Sequence, residues 1–339
     1  MNPTVSSTLR FGLLGLIGLL HTGAVRAAVP GDSELVVQSI ATTVRQIFEQ
    51  GKDAVVQIEC REPSGMVRGT GFYVDALGTL YTLASITSHA EEVFVVRNGR
   101  RIPATVLLND SRSGIAVLRS EEQNAFLPLG NSNELRIASP VVVIGYPLDL
   151  DVSPGFGLIS GFDKKFGGTY FSTTHIRANI PVQRGQGGAP LLDLEGRVVG
   201  IVSSSVDGGA TCHVLPIEAA EKIRRDLARF GGPKHGWVGV KVEKTDAPAG
   251  GSHAIVCDLD PEAPAGLSGL QTGDIVVRIG DHRVKCPEDI LDASFFLTAG
   301  EEAEIEVVRE GNPLVLRAIP TEHPYTQPPT LHVGSPVGE

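Results

Sequence analysis

The chain has 339 residues, 42% of them apolar and 20% charged, an ordinary globular balance with enough length for two cores. Its net charge of −10 repels phosphate backbones and anionic lipid, which argues against nucleic acid and anionic membrane surfaces as partners. Forty glycines and 22 prolines point to many turns and an all-β architecture.

Residues 1–27 read as a signal peptide. Arg10 supplies the positive start, Phe11 to Leu20 form a short apolar run, and Val25-Arg26-Ala27 places small residues for cleavage. That run is too short to span a bilayer as a helix, which needs about twenty residues. The expected product is exported, periplasmic or extracellular, with no membrane attachment after cleavage.

Residues 35–50 carry Val37, Ile40, Val44, Ile47 and Phe48 at helical spacing, which predicts one amphipathic helix. From 54 to about 205, β-rich runs such as AVVQIEC, TGFYVD, EVFVV, PVVVIGY and RVVGIVSS alternate with turn residues, as in a sandwich or barrel. IEAAEKIRRDLARF (217–230) predicts a helix stopped at Gly231-Gly232-Pro233. The expected organisation is a first domain over 35–230, a linker over 231–235, a second domain over 236–319, and a disordered proline-rich tail over 320–339. Strands at GWVGVKV, AIVCDL, DIVVRIG, AEIEVVR and PLVLRAI build the second domain, with a short helix beginning near Pro287.

The four cysteines, Cys60, Cys212, Cys257 and Cys286, have no C-x-x-C spacing. Two fall in each domain, so pairing within domains and buried free thiols both stay open. His89, His175 and His213 share no ligand motif, and neither a metal nor a cofactor is expected.

Five ordered motifs carry a resemblance over residues ~50–220: GTGFYVDALGTLYTLASIT (69–87), DSRSGIAVL (110–118), LGNSNELRIASPVVVIGYPLDL (129–150), GLISGF (157–162) and GQGGAPLLDLEGRVVGI (185–201). Together they are similar to the HtrA/Deg family of exported serine proteases. The resemblance implies a mainly β fold, a trypsin-like double β-barrel. The following 236–319 resembles a PDZ domain, a small β-sandwich with helices, through GWVGVKV and SGLQTGDI (268–275).

Serine-protease chemistry needs a hydroxyl to attack, an imidazole to take its proton and a carboxylate to orient the imidazole. By the resemblance these three positions hold Ser85 for the histidine, Gly114 for the aspartate and Gly187 for the serine. Disabling such a triad costs ~10⁶-fold in kcat. The sequence therefore predicts a chain that is not an enzyme, a pseudoprotease. Gly185, Gln186 and Gly187 would keep a relic oxyanion loop of inward N–H groups. The alternative is a serine endopeptidase using displaced residues, for which His89, His175 and Ser203, Ser204 and Ser205 come into view.

The PDZ resemblance implies capture of polypeptide C-termini or unfolded segments. Gly236, Trp237, Val238 and Gly239 would form the carboxylate loop, and Val240, Ile290, Leu291 and Phe295 an apolar pocket. The expected role is chaperone-like holding or adaptor work in protein quality control, with an active HtrA-type protease as a candidate partner. A structural assembly module presenting the PDZ unit is a further reading, and the family it resembles forms trimers.

Overall fold

The computed structural model describes residues 30–97, 99–122, 125–246 and 252–323; the expected signal peptide and all of the tail beyond His323 lie outside them. Helix α1 runs Pro30–Gly51. Its Ile47 is buried, with Val44 and Phe48 against the same core, whereas Val37 and Ile40 of the expected apolar face are exposed.

Six strands follow: β1 (Val55–Glu62), β2 (Gly65–Tyr73), β3 (Thr79–Leu83), β4 (Glu92–Arg97), β5 (Arg100–Asp110) and β6 (Ile115–Ser120). They close into a barrel in the order β1-β2-β3-β6-β5-β4. A second barrel is built from β7 (Pro140–Gly145), β8 (Ser153–Phe166), β9 (Thr169–Ala178), β10 (Pro190–Leu192), β11 (Val198–Val206) and β12 (Thr211–Pro216), in the order β10-β11-β12-β9-β8-β7. Closure leaves neither barrel an open edge. Between β3 and β4 lies the single turn α2 (Ala84–Thr87). The four-residue span makes α2 a turn that positions Ser85 rather than a helix with a stable dipole.

Helix α3 (Ile217–Phe230) has the bounds the sequence predicts. Gly231 ends it in the left-handed region (φ 77°), its N–H donating to Leu227 O at 3.0 Å. The expected linker is not slack. Lys234 N–H donates to Asp226 Oδ2 at 2.8 Å, and His235 Nε2 lies 2.8 Å from Asp110 Oδ1.

The last part is a sheet of β13 (Val240–Asp246), β14 (Ser252–Leu259), β15 (Ile275–Ile279), β16 (His282–Arg283), β17 (Ala303–Arg309) and β18 (Asn312–Ala318), ordered β13-β14-β15-β17-β18 with β16 against β15. Helices α4 (Pro264–Leu267) and α5 (Asp289–Phe296) cover it. Val238, Val256, Val276, Ile290, Ala293 and Ile305 form its core. Ordered backbone continues past the expected start of the tail: Trp237 and Thr321 exchange both N–H···O bonds, at 2.7 and 3.0 Å.

Candidate functional site

The three positions read from the sequence converge where the barrels meet. Ala84 N–H, at the start of the turn carrying Ser85, donates to Gly114 O at 2.7 Å. A Cβ placed on Gly187 would meet Leu83 Cδ1 at 3.3 Å, two residues before Ser85. Ser85 is exposed. Gly114 sits at φ 78° with open space around it, so an aspartate there would be strained by its backbone rather than by crowding.

The loop holding Gly187 is fixed by bonds to both sides. Thr70 of β2 donates through N–H to Gly187 O (2.8 Å) and through Oγ1 to Gly185 O (2.7 Å). Gly188 N–H donates to Val202 O, and Val202 N–H to Ala189 O, at 2.8 and 2.9 Å, so β11 runs beside the loop. Glycine is required at 188: φ is 86°, and a Cβ would lie 2.2 Å from Thr70 O. Of the expected inward N–H groups, that of Gln186 is turned back onto Gln183 O at 3.1 Å. Those of Gly185 and Gly187 donate to no described residue.

Strand β11 leads from this loop to Ser203, Ser204 and Ser205. Ser203 Oγ donates to the backbone oxygen of His213 on β12 at 3.0 Å. Ser204 is exposed and stands opposite His213 in the ladder. The His213 Nε2 lies 3.0 Å from Asp163 Oδ2 of β8. Asp163 also faces Arg177 Nε at 3.6 Å. The rings of Phe166 and Phe171 stand edge-on to His213, each at 5.3 Å. His175 stacks on Phe171 at 3.8 Å. Burial pushes the His175 imidazole down to about 4, so it is neutral at pH 7. His89 is exposed, two residues beyond α2. Thus β12 carries a buried imidazole paired with a carboxylate, and β11, whose Val202 is bonded to Gly188 and Ala189, carries hydroxyls on the facing strand. Among the described residues no group of three or more His, Cys, Asp or Glu could hold a metal ion. The four cysteines are free, and burial pushes the Cys60 and Cys212 thiols up to about 12.

In the last sheet, Gly236 N–H donates to Leu297 O at 2.9 Å and Trp237 N–H to Thr321 O. The first two donors of the expected carboxylate loop are therefore taken. Val238 and Gly239 N–H have no described partner, and Gly239 turns at φ 73°. Val240 is half-buried at the start of the free edge of β13, Ile290 is buried in the sheet core, and Leu291 is exposed. Phe295 departs from its expected place. It is fully buried with the barrel core, its ring 4.9 Å from His235 and 5.1 Å from Phe296, with the Arg112 guanidinium 5.6 Å from its centroid. A pocket-wall role is thereby corrected to a join between the sheet unit and the barrels.

Comparisons with known proteins agree with this fold. Residues 69–201 match the trypsin-like peptidase domain family, and residues 236–318 match the PDZ domain family. The chain is 29% identical over 259 residues to a "Probable periplasmic serine endoprotease DegP-like" of Halomonas elongata, covering 72% of this chain and 54% of that protein. It is 27% identical over 312 residues to the same-named protein of Pseudomonas fluorescens, covering 84% and 64%. The chain thus spans a little over half the length of the curated relatives it matches. Among solved structures it is similar to "HtrA-type protease AlgW with tripeptide" (TM-score 0.68, 21% identity, 82% of this chain and 96% of that one). A serine endoprotease from Yersinia pestis is similar in fold too (TM-score 0.59, 22% identity, 82% and 97%). The mainly β fold, a trypsin-like double barrel followed by a PDZ domain, is the one expected. The expectation of a chain that is not an enzyme is corrected: the relatives are named serine endoproteases, which points to protease activity.

Proposed function

Because the chain belongs to the HtrA-type family, trypsin-like peptidases that carry a PDZ domain, we propose that it is a serine endopeptidase of exported polypeptides. On this reading Ser85, Gly114 and Gly187 occupy the usual triad positions, and displaced residues do the chemistry. Export follows from the relatives, which are named periplasmic. No helix among the described residues is long and apolar enough to cross a membrane.

The observation that carries the proposal is the His213–Asp163 pair at 3.0 Å, with Ser204 exposed opposite His213 on β11, the strand bonded to Gly188. Ser204 would attack, His213 would take its proton, and Asp163 would orient and balance the imidazolium. Asp163 engages Nε2, so the base would be Nδ1, the reverse of the usual tautomer. The free N–H groups of Gly185 and Gly187 would hold the oxyanion, where one donor is typically worth ~10²–10³ in kcat. Ground-state contacts of this kind tighten only as substrate binds, so the absence of a Ser204–His213 bond in the free protein is compatible with the role.

The PDZ unit would present the substrate. An extended peptide can add to the free edge of β13, and the Val238 and Gly239 N–H groups would meet a terminal carboxylate. The similar fold of the HtrA-type protease AlgW with tripeptide supports this reading. Digestion of casein at pH 7–8 tests the proposal. Cleavage is expected, and His213→Ala should lower kcat/KM by about 10²–10⁴-fold, the range for a lost general base. Cleavage that survives His213→Ala unchanged would remove His213 from the mechanism.

A further inference from the structure

A cavity of about 620 Å³ lies between the second barrel, α3 and the PDZ sheet. That is within the ~300–1,000 Å³ of small-ligand sites. Phe162 and Ile176 of the barrel, Ile217 at the head of α3 and Phe296 of α5 give it an apolar wall. The His282 ring lies flat on Phe296, with centroids 4.4 Å apart and planes 11° off parallel, and extends that aromatic surface.

The charge around this wall is mostly negative: Glu218, Glu221, Asp281 and Asp292 stand against Arg225 and His282. Two of the carboxylates are engaged. Glu218 accepts from Ser132 through N–H and Oγ, and Glu221 from Tyr81 and Arg224. Asp292 differs. It accepts the Thr174 N–H at 2.6 Å and forms no ion pair with a described residue. Burial pushes the carboxyl of this half-buried residue up, against the opposing pull of the Thr174 N–H and of the nearby His282 and Lys164.

We propose that this cavity binds an organic cation with an apolar body, its ammonium or guanidinium group against Asp292 and its body against Phe162, Ile176, Ile217 and Phe296. A charge-assisted hydrogen bond to the carboxylate and the faces of the aromatic rings both favour a cation. The excess of carboxylates disfavours an anion of the same shape. The chemistry fits a free amine and a lysine or arginine side chain of a polypeptide alike. Because its walls come from β8, β9 and α5, the occupant bridges the second barrel and the PDZ unit. The proposal stands independently of the peptidase reading.

Calorimetry on the full chain tests it with 2-phenylethylammonium, using neutral 2-phenylethanol as the isosteric control. The ammonium is expected to bind, and the alcohol about tenfold more weakly or worse. Asp292→Asn should weaken the ammonium by about tenfold, the loss of one charge-assisted contact. Asn133→Trp, at an exposed position of the lining, should block binding without touching the core. A thermal melt of each variant checks that it is folded. Competition by N-acetyl-phenylalanyl-lysine amide would assign the polypeptide source, and binding of the amine alone the free-amine source. The proposal is overturned if the alcohol binds as well as the ammonium, if Asp292→Asn binds like the parent, or if the ammonium shows no binding up to about 10 mM.

Discussion

His175 illustrates how a single residue's surroundings set its chemistry. It is stacked on Phe171, and burial drives its pKa to about 4. In the unfolded chain it returns to the ordinary 6.5. The unfolded state therefore takes up the proton first as pH falls. The stability contributed by the neutral imidazole is complete above about pH 6.5 and is lost progressively towards pH 4, amounting to roughly 3 kcal/mol. Urea melts between pH 7 and 4 should show this loss, and His175→Phe should flatten it by that amount. An identical pH dependence in the two proteins would contradict the assignment. Other site residues were legible only in part. Ser85, Gly114 and Gly187 stand inside ordered motifs, so sequence could single them out. The His213–Asp163 pair is separated by 50 residues, and no spacing rule links them. They meet because β9 pairs with both β8 and β12, setting His175 opposite Asp163 and Arg177 opposite His213.

At the scale of elements, helix signals were the clearest. Helix α3 carries Ile217, Ala220, Ile223 and Leu227 at helical spacing and a glycine stop, so both ends could be read. The hairpin of β8 and β9 was not foreseen as a unit. Phe156, Leu158, Phe162 and Phe166 stand exposed on β8, so its pattern did not announce a buried face. The expected groove role of α5 changed because its partner is tertiary. Asp289 pairs with Lys164 of β8 at 2.5 Å, Asp292 takes the Thr174 N–H of β9, and Ser294 takes an N–H of Arg112 at 2.7 Å. Beside these, burial opposes ionisation of Asp110, yet hydrogen bonds from His235 and Ser113 hold its carboxyl below the usual range. Phe295 is the apolar centre of the join. Phe295→Ala should cost about 3–5 kcal/mol of unfolding free energy, as for other fully buried aromatics. A denaturant midpoint unmoved by that change would mean that Phe295 contributes little to the join.

The whole molecule joins two closed barrels to a sheet that ends in the edge strand β13, and on the proposed function both parts face a polypeptide. Sequence motifs identified both domains, since turn glycines and strand runs survive in order even where individual chemistry differs. What motifs could not convey was which hydroxyl, imidazole and carboxylate the barrels bring into one place, because that depends on strand register. On the proposed function the catalytic centre is displaced onto β8, β11 and β12. Labelling with a fluorophosphonate, which reacts with activated serines, followed by peptide mapping, tests it most directly. The expected result is a covalent adduct on Ser204 that disappears in His213→Ala. A chain that stays unmodified, or one labelled equally with and without His213, would contradict it.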